Sequence, residues 1–204
     1  MHFHGTERSA LLIDGNNLYF TAKALRFEID YKRLLAVFRS STQLVAARYY
    51  TTVVEDQTYS SMRPLLDFLE YNGFQIVTRP AREFTDAAGQ RRIKGSIDIE
   101  LAIDALTLAK HLDHVVLVTG NGDFTYLVAA LQELGTRVSV LSTLQSSPVL
   151  VADGLRRQAD QFIDLIDLQP QIERSQPAPA RAQMARRTGL VQAHATSDQD
   201  PDGE

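Results

Sequence analysis

Short apolar runs alternate with longer amphipathic stretches along the first 169 residues, and the runs end on turn-forming residues. This alternation constrains the fold most. Strands that each lead into a helix pack as a mostly parallel sheet covered by helices, joined by right-handed crossovers. The plainest run is His114-Val115-Val116-Leu117-Val118, apolar enough for burial on both faces and broken by Thr119-Gly120-Asn121-Gly122. Ser9 to Ile13 reads as another buried strand, leading into a loop at Asp14-Gly15-Asn16-Asn17. Val45–Val54, Phe74–Val77 and Arg137–Leu141 read as strands, and Phe162–Leu165 as a short last one.

Helices are expected over Tyr31–Phe38, where Tyr31, Leu34, Leu35 and Phe38 share one face, and over Ser60–Tyr71, Ile97–Lys110, Phe124–Leu134 and Pro148–Gln161. Asn72-Gly73 and Gly135 serve as stops. Residues 79–95 read as a polar, basic connection that turns at Asp86-Ala87-Ala88-Gly89. Residues 1–8 are expected to be a flexible N-terminus, 9–168 one folded domain, and 169–204, rich in Gln, Ala and Arg, a disordered tail. In a parallel sheet the binding crevice lies at the carboxyl ends of the strands, which singles out the loops after Ile13 and Val118.

Composition excludes several chemistries. There is no cysteine among the 204 residues, so a disulfide scaffold, a thiolate zinc site, an iron–sulfur cluster and a cysteine nucleophile are ruled out. No apolar run approaches the ~20 residues of a membrane span, and Met1-His2-Phe3-His4-Gly5 lacks a signal-peptide core, so the expectation is a soluble cytoplasmic chain. The net charge of 21 − 25 = −4 does not advertise nucleic-acid binding, but its distribution does. Between Arg79 and Lys94 stand Arg79, Arg82, Arg91, Arg92 and Lys94 against Glu83 and Asp86.

Four further acids carry the chemistry. Asp14 ends the first strand and Asp123 follows the strand Val115–Val118, so both are expected in one crevice. Converging carboxylates repel unless a cation or proton lies between them, and an oxygen-only set suits Mg²⁺ or Mn²⁺. The alternative is that each Asp caps the helix that follows it. Asp98 shares a helix face with Leu101, Ala102 and Ala105 and needs a partner there. Asp104 lies about 120° around that helix, and either reaches the site from a neighbouring turn or binds a backbone group or an Arg. Glu100 reads as solvent-facing. The five histidines show no ligand or triad spacing and read as structural or exposed.

Three blocks, Leu12-Ile13-Asp14-Gly15-Asn16-Asn17-Leu18-Tyr19, Lys94-Gly95-Ser96-Ile97-Asp98-Ile99 and Val118-Thr119-Gly120-Asn121-Gly122-Asp123-Phe124, resemble the signature blocks of NYN domains, most closely the LabA-like bacterial branch of the PIN-like nuclease group. Gly135-Thr136-Arg137-Val138 and Ala152-Asp153 through Ile163-Asp164-Leu165 resemble that branch's closing segments. The resemblance implies a Rossmann-like, three-layer α/β sandwich and a metal-dependent ribonuclease site. It gives Asp14, Asp98 and Asp123 as metal-binding and catalytic acids, and Asp104 as a further acidic position. Asn16 would orient Asp14 or a phosphate oxygen, and Lys94 would meet the scissile or adjacent phosphate. Asn17, Thr119, Arg91 and Arg92 join them as substrate-binding candidates. Asn121 stands where the family commonly has an acid, and its amide oxygen can ligate a hard cation without adding charge.

The implied reaction is phosphodiester hydrolysis with Mg²⁺ or Mn²⁺, leaving a 5′-phosphate and a 3′-hydroxyl. The expected partner is single-stranded RNA, with no membrane and with a homodimer left open. Lys23, Arg26 and Arg48 add candidate phosphate contacts, and Tyr19, Phe20, Tyr49 and Tyr50 are candidates to stack on bases. Because Tyr49 and Tyr50 point to opposite faces of a strand, at least one belongs to the core. Two other readings compete. One is an RNA-binding or regulatory protein that keeps the fold without catalysis, favoured by Asn121. The other is a small-molecule phosphohydrolase or nucleotide binder, which would call for a glycine-rich phosphate loop that the sequence lacks.

Overall fold

The computed structural model describes residues 3–54, 62–85, 89 and 91–174, and for 54, 82–85 and 91–94 the description is of the backbone. Its elements run β1 (Arg8–Asp14), α1 (Gly15–Ala24), α2 (Tyr31–Ser41), β2 (Gln43–Val54), α3 (Arg63–Tyr71), β3 (Gln75–Thr85), β4 (Arg91–Lys94), α4 (Asp98–Ala109), β5 (His114–Val118), a 3₁₀ turn (Gly122–Phe124), α5 (Thr125–Glu133), β6 (Arg137–Ser142), α6 (Asp153–Gln158), β7 (Gln161–Asp164) and α7 (Leu165–Ile172). The sheet order is β4-β3-β2-β1-β5-β6-β7, parallel throughout except for the antiparallel edge strand β4. The expected α/β sandwich is therefore present, with the strand order of a doubly wound Rossmann-type sheet.

The alternation of side chains along β1 feeds two separate cores. Leu11 and Ile13 pack with α1, α2, α3 and α7 on one face, through residues such as Leu18, Leu34, Phe38, Leu69 and Leu168. Ala10 and Leu12 pack with α4, α5 and α6 on the other, through Leu101, Leu127, Leu131 and Leu155. Tyr49 and Tyr50 divide the same way between the two cores, and both are buried. Neither is available to stack on a base.

Three local expectations need correcting. The loop expected after Ile13 is instead the first turn of α1, because the Asp14 carboxylate accepts the Asn17 N–H and caps the helix. Gly15 is required there, since a Cβ would lie 2.5 Å from the Tyr49 ring. Residues 79–95 are not a bare connection: β3 runs on through Pro80 to Thr85 and pairs with β4, in the register Arg82↔Lys94 to Thr85↔Arg91. A short strand of Arg-Arg-Ile-Lys suits an edge, where charge discourages further pairing. The helix expected from Pro148 starts only at Asp153, because residues 143–152 cross the strand ends and the Ala152 N–H donates to the Gly120 carbonyl at 3.0 Å.

At the N-terminal end Phe3 packs edge-on against Phe38, and Glu7 pairs with Arg137 at 2.7 Å. At the other end α7 continues past Leu168, with Ile172 fully buried. Residues 175–204 of the expected tail, and Ser60 and Ser61 of the expected third helix, lie outside the described residues. Among the described residues no helix is long and apolar enough to cross a membrane.

His114 has a structural part, as expected of it. It is fully buried, sits near Ser139, Arg137 and Glu7 at the amino ends of β5 and β6, and is held near pKa 4 first by burial and then by the Arg137 charge.

Candidate functional site

The strands β1 and β5 are neighbours whose chains then leave in opposite directions across the sheet, which opens a crevice at their carboxyl ends. Asp14 stands at that point, only 5% exposed. Three donors fix its carboxylate. Asn17 donates its backbone N–H to Oδ1 at 3.2 Å and its side-chain Nδ2 to Oδ2, and Thr119 donates its hydroxyl to Oδ2 at 3.3 Å. Asn17 in turn accepts the Gly120 N–H at 3.2 Å, so one side chain joins the loop after β1 to the loop after β5. The Thr119 hydroxyl accepts the Asn121 N–H at 3.2 Å, and Asn121 Nδ2 faces the Asp98 carboxylate at 3.4 Å. Asp98, at the start of α4, is itself placed by its N–H donating to the Ser96 hydroxyl at 3.2 Å.

Burial raises the Asp14 pKa, the Asp98 charge adds to the rise, and the hydrogen bonds from Asn17 and Thr119 oppose it. An ionised carboxylate that is nearly buried and faces another is unfavourable alone. A hard cation between Asp14 and Asp98 offsets both the desolvation and the repulsion. The available donors are carboxylate, hydroxyl and amide oxygens, the set that Mg²⁺ and Mn²⁺ prefer. The residues therefore fit such an ion, through two carboxylates.

The third carboxylate is placed differently from the expectation. Among the described residues no three His, Cys, Asp or Glu side chains form a group that could hold a metal. Asn121 Oδ1 accepts the Asp123 N–H at 3.0 Å and caps the 3₁₀ turn, and Asp123 is exposed. Asp104 binds an Arg, the second of its two expected options: Arg48 approaches it at 2.6 Å and the Tyr50 hydroxyl donates to it at 2.9 Å. Burial first, and then the Asp104 charge, push the Tyr50 hydroxyl well above its ordinary pKa, so it remains a donor.

The substrate-side expectations sort as follows. Orientation of Asp14 is performed by Asn17, whereas Asn16 is exposed on the first turn of α1. Thr119 is 1% exposed and serves Asp14 rather than the surface. Arg48 is engaged by Asp104, and Arg79 pairs with Glu100 at 3.2 Å at the surface, Glu100 keeping a solvent-facing side chain as expected. Arg91, Arg92 and Lys94 lie on β4, and their side chains are outside the described residues, as is that of Arg82.

Two groups went unread in the sequence. Ser96 stands just before the N-cap Ile97, and its hydroxyl accepts the N–H two residues on, the local turn that Ser commonly makes. Arg48 and Tyr50 are two apart on a strand and so share a face, which is the signal for their common partner.

The Arg48–Asp104 pair is half-withdrawn from solvent, so Asp104→Asn is expected to cost ~1–3 kcal/mol of stability by leaving Arg48 without its counter-charge. Chemical denaturation of the variant beside wild type checks this, and a loss below about 0.5 kcal/mol would mean that the pair contributes little.

Comparison with known sequences and structures agrees with this geometry. The family model for the NYN domain matches residues 8–168. The chain is 32% identical over 177 residues to the low amplitude and bright protein LabA of Synechococcus elongatus, covering 84% of this chain and 91% of that protein. It is also similar to the crystal structure of a protein of unknown function from Vibrio parahaemolyticus, with a TM-score of 0.65 and 28% identity over 81% of this chain and 96% of the other.

Proposed function

The chain belongs to the NYN domain family, and from that premise we propose that it is a metal-dependent ribonuclease acting on single-stranded RNA. The observation that carries the reading is the nearly buried Asp14, clamped by Asn17 and Thr119 and facing Asp98 at the switch point of the sheet. A structural Asp needs only its capping hydrogen bond. One held on both oxygens, against a second carboxylate, is set for a cation.

Asp14 and Asp98 are the residues that would hold Mg²⁺ or Mn²⁺, and Asn121 and Asp123 would join them only if the loop after β5 rearranged. Bound there, the ion supplies Lewis acidity toward a phosphate oxygen and makes water a better nucleophile. The chain's own residues do the rest. Asn17 and Thr119 keep Asp14 in one rotamer, so its orientation costs nothing at the moment of reaction. Asn121 holds the Asp98 carboxylate and the Asp123 turn together. Asn16, Lys94, Arg91 and Arg92 meet phosphate oxygens along the strand. Products carry a 5′-phosphate and a 3′-hydroxyl.

A second reading, an RNA-binding protein without catalysis, draws on two observations: Asn121 presents its amide nitrogen to Asp98, and Asp123 is exposed. One experiment separates them. Labelled single-stranded RNA is incubated with the protein under Mg²⁺, Mn²⁺ or EDTA. The expected result is metal-dependent cleavage that EDTA stops and that Asn121→Asp raises by about tenfold or more, since the added charge tightens cation binding. Binding without cleavage in any metal, by both wild type and Asn121→Asp, would establish the second reading.

A further inference from the structure

We propose that the outer face of α1 is a docking strip for single-stranded RNA, in which Tyr19 and Phe20 stack on unpaired bases while Lys23 and Arg26 meet the phosphates. The inference rests on the ribonuclease reading and names where its substrate lies.

Helix α1 buries Leu18, Thr21 and Ala22 and turns Asn16, Tyr19, Phe20 and Lys23 outward, the spacing of a single helical stripe. Tyr19 and Phe20 are 56% and 57% exposed, so the core makes little use of them. Their rings meet edge to face at 5.4 Å, and the Lys23 ammonium lies 5.7 Å from the centre of the Tyr19 ring, so aromatic surface and cation form one unit. Arg26 follows, also exposed.

Residues 15–26 contain no acid at all, in a chain whose net charge is −4. The stripe begins at Asn16, two residues from Asp14, and runs to Lys23 over roughly 10 Å at 1.5 Å per residue, with Arg26 just past the end of the helix. A strand held at the carboxylates thus has a continuous path of π-faces and positive charge away from them. A second copy of the chain would set Lys23 and Arg26 against like charges if it packed there symmetrically. A duplex hides the faces that aromatic rings stack on, whereas every unpaired base offers one.

The test uses the full chain in EDTA, with binding read by fluorescence anisotropy on a labelled oligouridine and on an RNA duplex of equal length. Tyr19→Ala/Phe20→Ala is expected to weaken single-strand binding by about ten- to a hundredfold, with duplex binding and melting temperature nearly unchanged. Tyr19→Leu/Phe20→Leu, which keeps apolar bulk without a flat ring, should weaken it similarly, and Lys23→Gln should lower the salt slope by about one phosphate contact.

Single-strand affinity equal to wild type in both double variants overturns the strip, and metal-dependent cleavage by the same preparations would leave the nuclease reading standing. Affinity that depends on the aromatic pair in a protein that cleaves nothing supports the strip and removes the nuclease reading. Loss of self-association in sedimentation, or of binding to phosphatidylserine vesicles, with RNA affinity unchanged, would also overturn it and give the face to a second copy or to lipid.

Discussion

Asp14→Asn is expected to lower metal-dependent RNA cleavage by about a thousandfold or more, while the protein stays folded. Asn is nearly isosteric with Asp, and its one oxygen can replace either Oδ1, which receives the Asn17 N–H, or Oδ2, which receives the Asn17 Nδ2 and the Thr119 hydroxyl, but not both. It cannot offer a second carboxylate oxygen or a charge, and the cation then faces Asp98 with one charge fewer.

The same variant has a stability signature independent of substrate. Wild-type Asp14 has a pKa raised above 3.8 by burial and by the Asp98 charge. Such an acid binds protons more tightly when folded. Its stabilising contribution is full below the unfolded pKa and is lost as pH rises through the folded one. Wild type without metal should therefore lose stability above pH ~4, and Asp14→Asn should lose less. Mg²⁺ or Mn²⁺ at a hundred times Kd should restore wild type by ~2.7 kcal/mol, roughly 5–10 °C in Tm, and restore Asp14→Asn much less. Equal metal responses in the two proteins would place the ion elsewhere.

Gly120→Ala is expected to cost ~3 kcal/mol or more, and most of the activity with it. A Cβ at residue 120 would stand 2.0 Å from the Leu150 carbonyl oxygen and 3.0 Å from the Ser142 hydroxyl, and the first of these is backbone that cannot rotate aside. Relief requires moving either residues 143–152 or the loop after β5. The second movement pulls the Gly120 N–H from Asn17 and the Thr119 hydroxyl from Asp14, so the carboxylate loses one of its donors and Asn17 loses its anchor. Gly5→Ala, where a Cβ meets nothing within 4 Å, is the control and should stay within ~0.5 kcal/mol. Chemical denaturation of both variants decides it, and a loss below about 1 kcal/mol for Gly120→Ala would mean that the crossing segment yields easily.

The parallel core was legible because its signal is local. The run His114–Val118 and the alternation around it need no knowledge of partners to be read as buried strands. The parts that were not legible depend on contacts distant in sequence. Gly15-Asn16-Asn17 has turn composition, and it is helical because Asp14 caps it and Tyr49 fills the space beside Gly15. Pro148–Ala152 fits a helical pattern, and it is irregular instead, ending where the Ala152 N–H bonds the Gly120 carbonyl.

The site divides in the same way. That Asp14 ends a strand at the crevice follows from the sequence. That Asn17 rather than Asn16 turns back onto it follows only once a helix begins at Gly15, since the residue three positions after a cap is the one that faces it. Asp104 was left with two options because its helical angle says where it points but not what waits there. Arg48 comes from a strand 56 residues earlier.

The position of β1 bears on how the chain is made. It is the central strand, buried on both faces, and its two neighbours are β2 and β5. The partner of Ser9 is His114, and Arg8 bonds Asp113 across 105 residues. During synthesis from the N-terminus, β1 pairs with β2 early, but its other edge and one apolar face stay open until β5 and α4 have emerged. An open, flat, apolar edge is what chains aggregate through. Ribosome-bound or truncated chains ending before Val118 thus expose their most sticky strand and also lack the loop that fixes Asp14, so the aggregation-prone period of the nascent chain is the period in which it has no site.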